Sequence, residues 1–124
     1  MKRRTLLITL LSVTVLLGSC TTTVINPGTD SSATYRFGRL TAEEPQPIAA
    51  VYEAAATAVT ELGLSIIQKV KDELEAKIVA RDAQDKKIII ELTALTKSTT
   101  EVKVRTGSPD KARRIYQTIH DALQ

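Results

Sequence analysis

Cysteine and histidine are the side chains best suited to chemistry, and each occurs once in this 124-residue chain. Cys20 cannot form a disulfide within the chain, which leaves a small apolar residue or a modified thiol as its two interpretations. His120 could act as a general acid or base. It follows the apolar position Ile119 close to the end of the chain, so we expect a surface residue on the last turn of a helix.

The residues needed for a metal site or for an activated serine nucleophile are incomplete in this sequence. A zinc site needs three or four converging Cys, His or carboxylate ligands, so we expect no metal. A serine nucleophile needs an adjacent base, and Ser65, Ser98 and Ser108 have no credible histidine partner. The sequence contains no GxGxxG motif. We therefore expect a protein that is not an enzyme, with no catalytic residue and no cofactor.

Acidic residues on the expected strands predict a solvated surface. Glu73 and Glu75 share a strand face with basic residues of neighbouring strands, and Glu91 and Glu101 also face Lys and Arg in the expected register. Paired carboxylates that cleave a glycoside need a cleft in which one carboxyl has a raised pKa. We expect a charge-balanced sheet face instead.

A basic cluster lies in the C-terminal region, formed by Lys111, Arg113 and Arg114. It could contact an anionic partner or a lipid headgroup. The alternative is a solvated helix face that Asp110 and Asp121 partly balance, and we favour that interpretation.

The N-terminus has the features of an export signal. Three basic residues within residues 1–4 precede an apolar run of thirteen residues, 5–17, which ends at Gly18 and Ser19. A basic start, an apolar run of about 7–15 residues and a small-residue exit are typical of a signal peptide. We predict one at residues 1–19. A transmembrane helix is the alternative, but crossing a bilayer needs about 20 apolar residues.

The end of this leader resembles the lipobox of bacterial prolipoproteins, through Leu17, Ser19 and Cys20. The resemblance implies cleavage before Cys20 and a diacylglyceryl thioether, with palmitate-type chains, on its sulfur. Thr21 is not Asp, which in lipoproteins of enteric-type bacteria implies transport to the outer membrane. The implied location is the cell envelope, on the outer membrane facing the periplasm, with Cys20 as the membrane anchor.

The net charge of the predicted mature chain argues against nucleic acid as a partner. The chain has 17 basic and 14 acidic residues, and Lys2, Arg3 and Arg4 leave with the leader. The mature chain then has 14 basic residues and a formal net charge of zero. Nucleic-acid binding needs a lasting basic surface.

The mature chain divides into a tether and one domain. Thr, Asn, Pro, Gly, Asp and Ser dominate residues 21–34, so we predict a lipidated N-terminus and flexible tether at residues 20–34. The domain, residues 35–124, begins with a short strand at residues 35–40. Glu43, Glu44, Pro45 and Pro47 then predict a helix start, with both acids near its positive end. Apolar residues recur at helical spacing from there to Leu62, and they are Ile48, Val51, Tyr52, Ala55, Val59 and Leu62.

Four strands and a second helix complete the predicted domain. Gly63 fits the position just past the first helix. The alternating stretches that follow are residues 64–71, 74–81, 88–94 and 101–105. Their joins are too short for a crossover helix, so they predict an antiparallel meander. Ser108 and Pro109 then predict the start of the C-terminal helix.

These elements predict an α+β fold of order β-α-β-β-β-β-α, a two-layer sandwich with both helices on the apolar sheet face. The order resembles a helix-grip arrangement. Leu62-Gly63-Leu64 and the later pattern also resemble a family of short bacterial envelope lipoproteins that carry a domain of unknown function, over about residues 39–123. That resemblance implies no catalytic residue.

We therefore expect a membrane-anchored envelope lipoprotein that acts as a non-enzymatic accessory or interaction module. An exposed strand edge would serve to bind an envelope protein. The alternative is a carrier of an apolar or lipid-like ligand between the sheet and the C-terminal helix, since the many alanines of the first helix could leave space there.

Overall fold

The computed structural model describes residues 23–25 and 32–124, with side chains from residue 33 onward. The described elements are seven strands and two helices. The strands are β1 (Thr23–Ile25), β2 (Ser32–Arg36), β3 (Arg39–Glu44), β4 (Ser65–Lys71), β5 (Glu75–Arg81), β6 (Lys87–Thr96) and β7 (Thr99–Arg105), and the helices are α1 (Ile48–Glu61) and α2 (Pro109–Ala122). The predicted signal peptide and Cys20 lie outside the described residues.

The described strands form one antiparallel sheet in the order β1-β2-β3-β7-β6-β5-β4. Strands β4 to β7 are the predicted meander, and β3 joins it by pairing with β7. Both helices cover the same face, α1 over the side of β4 to β6 and α2 over β3 and β7. The predicted α+β order is confirmed for β3 to β7 and both helices, while β1 and β2 extend the sheet.

The covered face of the sheet is built from aliphatic side chains at alternating strand positions. These buried side chains are Leu40, Ala42, Ala76, Ile78, Ala80, Ile88, Ile90, Leu92, Val102 and Val104. Helix α1 packs on them largely through the small side chains of Ala54, Ala55 and Ala58. Small residues let the helix backbone approach the sheet closely, so the alanines form packed core.

Local residues mark the helix boundaries, and the predicted positions of Gly63, Ser108 and Pro109 are confirmed. Helix α1 begins directly after Pro47, and Gly63 just beyond its end has φ +71°, a left-handed conformation that glycine adopts without strain. The side chain of Ser108 accepts a hydrogen bond from the backbone N–H of Lys111 at 3.4 Å, and Pro109 is the first residue of α2.

The prediction of a single strand at residues 35–40 is wrong. A two-residue turn at Phe37 and Gly38 joins β2 to β3, and Arg36 pairs with Arg39 across it. Both turn residues have positive φ, 50° and 74°. Turns of this kind match the twist of the flanking strands, but they favour Asn or Gly at the first position. Because phenylalanine is not a typical residue at this position, the sequence pattern does not predict the turn.

Strands also occupy part of the range 20–34, for which the sequence predicts a flexible tether. Strand β1 lies within that range, and β2 begins there at Ser32. Thr, Val and Ile favour extended backbone, and β1 pairs with β2 through Val24 opposite Ala33. The composition-based prediction missed this pairing because polar residues surround the short apolar segments.

Strand β4 departs from its predicted alternation. The register with β5 shifts between Ile66 and Gln68, so Ile66 faces Ala80 while Gln68 faces Val79. A bulge of one residue moves the side chains beyond it to the opposite face of the strand. The alternation over residues 64–71 would place Leu64, Ile66, Gln68 and Val70 on one face, and this expectation is wrong because the bulge separates Ile66 from Gln68 and Val70.

Candidate functional site

Three polar side chains form a buried cluster between the sheet and α2. The hydroxyl of Tyr116 donates to Oε1 of Glu44, and Nδ1 of His120 lies 2.9 Å from the same oxygen. Glu44, Tyr116 and His120 are 1%, 2% and 5% exposed. An ionised carboxylate only accepts hydrogen bonds, so in that state His120 carries its proton on Nδ1. We call Glu44, Tyr116 and His120 the buried cluster.

The ends of two elements position this cluster. Glu44 is the last residue of β3 and follows Leu40 and Ala42 on the covered face. Tyr116 and His120 are four residues apart on α2, so they share one side of that helix. Their ring centroids are 6.1 Å apart.

A further buried hydrogen bond holds the chain beside the cluster. The hydroxyl of Thr100, which is opposite Glu44 in the sheet, donates to the carbonyl of Gln46 at 2.8 Å. This contact fixes the segment between β3 and α1 against β7. The end of β3, the start of α1 and the end of α2 are therefore held together by polar contacts inside the core.

The prediction that His120 lies on the surface is wrong, because its ring turns inward to meet Glu44. The prediction that Glu43 and Glu44 begin a helix is also wrong, since both belong to β3. A general acid or base must reach its substrate, and these three side chains are closed off from solvent. The buried cluster therefore acts as a structural link between β3 and α2.

The sequence contained the signals for this cluster. Glu44 continues the alternation of Leu40 and Ala42, which places a carboxylate on the apolar face. A buried carboxylate needs donors, and Tyr116 and His120 offer them on one side of the terminal helix. The assumption that Glu43 and Glu44 start a helix removed Glu44 from the strand pattern.

Charged side chains cover the opposite, open face of the sheet, and they separate by sign. At the end near the β2–β3 turn, Arg36 pairs with Arg39 and Arg39 pairs with Arg105. These three residues, on adjacent strands, are the basic row. Arg105 lies 3.6 Å from Glu91, and Nε of Arg39 is buried with no hydrogen-bond partner in the described part of the chain.

The other end of the open face is acidic. Glu43 pairs with Glu101, and Glu101 and Glu75 both pair with Thr93. We call Glu43, Glu75 and Glu101 the acidic row. Lys103 forms an ion pair with Glu101 at 2.8 Å. The rows lie at opposite ends of the strands, so the open face is polarised along the strand direction.

Between the rows the charges balance around Glu91, as the sequence predicts, but the expectation that Glu101 also faces Lys or Arg is wrong because its cross-strand neighbours are Glu43 and Thr93. Glu91 lies between Lys77 and Lys103 in the register. A groove of about 440 Å³ opens here, bordered by β4. Its lining consists of Val70, Asp72, Glu75, Ala76, Lys77, Glu91, Leu92, Thr93 and Lys103.

Carboxylates partner two members of the predicted basic cluster on α2. Lys111 pairs with Asp82 in the turn between β5 and β6, and Arg113 lies 3.9 Å from Asp110. Asp82 also accepts backbone N–H bonds from Gln84 and Lys86 at 2.9 and 2.8 Å. Its bond with Lys111, followed by the bond from Lys86, holds the pKa of Asp82 below its ordinary value. These pairs fit the interpretation of a solvated helix face.

The edge strand β4 is the most apolar exposed element. Each of its seven residues is exposed. Ile67 and Val70 are 52% and 44% exposed, and Leu74 follows in the next turn at 67%. An unpaired edge offers backbone donors and acceptors to another strand.

A cluster of metal-binding side chains and a membrane-spanning helix are both absent from the described residues. No group of three or more metal-binding side chains converges within them. Neither described helix has both the length and the apolar character that are needed to cross a membrane. The predicted lipid site, Cys20, lies outside the described residues.

Comparison with known proteins gives a family and no activity. No curated protein matches the chain. A family described as a protein of unknown function, DUF3568, matches residues 4–123. The match extends N-terminally beyond the range 39–123 that the resemblance predicted. Because it covers nearly the whole sequence, the chain belongs to the DUF3568 family of proteins of unknown function.

Proposed function

We propose that this chain is a bacterial envelope lipoprotein, anchored by acyl chains on Cys20, which acts as a non-enzymatic interaction module. The support for the anchor is the leader, which combines a basic start, an apolar run and the lipobox-like Leu17, Ser19 and Cys20. Two or more acyl chains hold a protein stably on a bilayer. The proposed location is the outer membrane, facing the periplasm.

The observation that carries the interaction role is the exposed edge of β4. Natural sheets protect their edges, and β4 has two such protections, a bulge at Ile67 and the charged residues Lys69 and Lys71. It nevertheless exposes Ile66, Ile67 and Val70. An edge that is guarded against general pairing but apolar at specific positions favours a selective partner strand.

The charges of β4 define the partner further. The strand contains two lysines and no acidic residue. The neighbouring groove is charge-balanced, since Lys77 and Lys103 line it together with Glu75 and Glu91. We infer an extended segment of another envelope protein, with apolar side chains for the edge and carboxylates for Lys69 and Lys71 of the strand.

The anchor is tested by the variant Cys20→Ser. The wild-type chain should incorporate labelled fatty acid and be cleaved before residue 20. The variant should incorporate none and should accumulate as the precursor. Labelling that persists in Cys20→Ser contradicts the anchor.

The partner surface is tested by photo-crosslinking in cells. A photoreactive amino acid at Ile67 or Val70 should give a discrete crosslinked protein that mass spectrometry can identify. The matched control is Thr57, which is exposed on α1 in the other layer. Equal crosslinking from Thr57 and β4, or none from β4, contradicts the docking edge.

The described residues give the carrier alternative no support. The buried alanines of α1 pack against the sheet, and Ala112 and Ile119 of α2 are fully buried in the same core. Native mass spectrometry of the full mature chain tests this alternative directly. A bound apolar molecule that survives transfer to the gas phase, beyond the acyl chains on Cys20, would revive it.

A further inference from the structure

The basic row brings three arginines together with one acidic partner, Glu91. Residues that are directly opposite on neighbouring strands have Cβ atoms about 4.5–5.5 Å apart, and like charges in such positions repel each other. Arg36 faces Arg39, and Arg39 faces Arg105. Among the ion pairs of the described residues, Arg105 has one with Glu91, and Arg36 and Arg39 have none. The row therefore has positive charge available for an anionic surface.

Phe37 stands beside this row in an unfavourable conformation. It is 96% exposed, and its φ of 50° is left-handed, which bulky residues rarely adopt. The guanidinium of Arg36 lies 5.5 Å from the centre of its ring. Exposure and backbone strain both disfavour phenylalanine here for folding alone. An aromatic ring beside arginines at a loop tip is suited to the interface between lipid headgroups and acyl chains.

The register of β1 places Thr23 towards the same end of the sheet. Strand β1 is antiparallel to β2, with Thr23 opposite Thr34 and Ile25 opposite Ser32. Thr23, the described residue nearest to Cys20 in the sequence, is therefore at the end of β1 that lies towards Arg36 and Phe37. Cys20 precedes Thr23 by three residues, which span about 10 Å at most. The acyl chains would therefore enter the bilayer close to the β2–β3 turn.

Charge at the far end of the open face agrees with this orientation. The acidic row lies at the opposite ends of the same strands. An anionic bilayer attracts the basic row and repels the acidic row, so it favours one orientation of the domain. Strand β4 is the edge of the sheet opposite to β1, so this orientation leaves it open to another protein.

We propose that the β2–β3 turn is a membrane-contact surface, in which Phe37 enters the interface and the basic row binds anionic lipid headgroups. This inference rests on the proposed acylation of Cys20. Its result is a fixed orientation, with the turn on the bilayer and the acidic row directed away from it, while β4 stays exposed at the side of the sheet.

A tryptophan reporter tests this surface, since the chain contains no tryptophan. Phe37→Trp is made in the full mature, acylated protein and reconstituted in vesicles of phosphatidylcholine with phosphatidylglycerol. The matched control is Leu74→Trp, which is exposed beside the acidic row at the other end of the sheet. Brominated lipids should quench the Phe37→Trp reporter and leave the control unquenched.

Removing charge should weaken the contact in steps. Arg36→Gln and Arg39→Gln should each reduce binding of the turn to anionic vesicles about fivefold, as expected for one basic residue near such a surface. Pure phosphatidylcholine vesicles should give weaker quenching. Arg113→Gln, on the surface of α2, should leave the quenching unchanged.

The possible outcomes distinguish failure of the membrane-contact surface from failure of the proposed lipid anchor. Mass spectrometry of the N-terminal peptide reports acylation independently of fluorescence. An acylated protein in which position 37 is unquenched, or quenched equally with position 74, overturns the membrane-contact surface and leaves the anchor standing. An unmodified Cys20 overturns both.

Discussion

Glu44 of the buried cluster and the arginines of the basic row are ionisable side chains on the same sheet, but they differ in how their charge is partnered. Glu44 contacts Tyr116 and His120 of α2 and is enclosed by the core. Arg36 and Arg39 face another arginine on the open face, and within the basic row the described ion pair is that of Arg105 with Glu91. The Nε2 atom of His120 and the Nε atom of Arg39 are both buried without a hydrogen-bond partner among the described residues, so the difference between the two regions lies in Glu44. A carboxylate whose partners lie inside the fold stabilises the fold, whereas like charges on an open face are available to a ligand outside it.

The largest expected effect is on the buried cluster. Glu44→Ala should lower the free energy of unfolding by about 3 kcal/mol or more, because two buried groups lose their acceptor. Urea unfolding measures this. The matched control is the neighbouring Glu43→Ala, on the open face opposite Glu101, which should change stability by less than about 0.5 kcal/mol. Similar losses from both variants would contradict the claim that the contacts of Glu44 stabilise the fold more than those of the open face do.

A smaller loss is expected when one donor of the cluster is removed. Tyr116→Phe should cost about 1.5–3 kcal/mol, the usual range for a hydrogen bond to a charged group. The control is Tyr35→Phe, since the half-buried Tyr35 makes a longer bond of 3.4 Å to the carbonyl of Thr106. Its loss should be clearly smaller in the same assay. If Tyr116→Phe proved neutral, the cluster would not be the link that we describe.

At the β2–β3 turn, a substitution should increase stability. Phe37→Asn should raise the free energy of unfolding by about 1 kcal/mol, because asparagine tolerates a left-handed conformation that costs other residues about 1–2 kcal/mol. Gly38→Ala, at φ +74°, should have the opposite sign. A loss of stability in Phe37→Asn would show that the ring stabilises the folded protein. The β2–β3 turn would then resemble the buried cluster in contributing to stability.

The smallest effect is expected at Asp82, whose partners lie at the surface. Its pKa is lowered in the folded protein, chiefly by the bond with Lys111. The unfolded chain therefore binds a proton at higher pH than the folded chain. The stabilisation is fully present above the unfolded pKa of about 3.9 and is lost as pH falls below it. The stability difference between wild type and Asp82→Asn should shrink from pH 6 to pH 2.5, and a constant difference would contradict this.

Most of the fold follows from local patterns in the sequence. The alternation of Ile88, Ile90 and Leu92 predicted a strand with one buried face, and Ser108 with Pro109 predicted the start of α2. Each of these signals acts within a few residues. The meander followed because the joins between β4 and β7 are too short for another topology.

The features that sequence reasoning missed depend on long-range contacts or strained backbone. Glu44 was assigned to a helix start because its partners, Tyr116 and His120, are 72 and 76 residues away. The sequence pattern does not predict the turn at Phe37, because phenylalanine rarely adopts the left-handed conformation that it has there. The basic row becomes visible once the register of β3 and β7 is known, since Arg105 is far from Arg36 and Arg39 in sequence.

The pairing of β3 with β7 also has a consequence for how the protein is made. The N-terminal strands reach the centre of the sheet only through β7, the last strand of the chain. Contacts between distant residues slow folding, because a long loop must close before they form. Strand β3 therefore has no central partner until residues 99–105 have been synthesised, so the sheet is completed only after most of the described chain has been made.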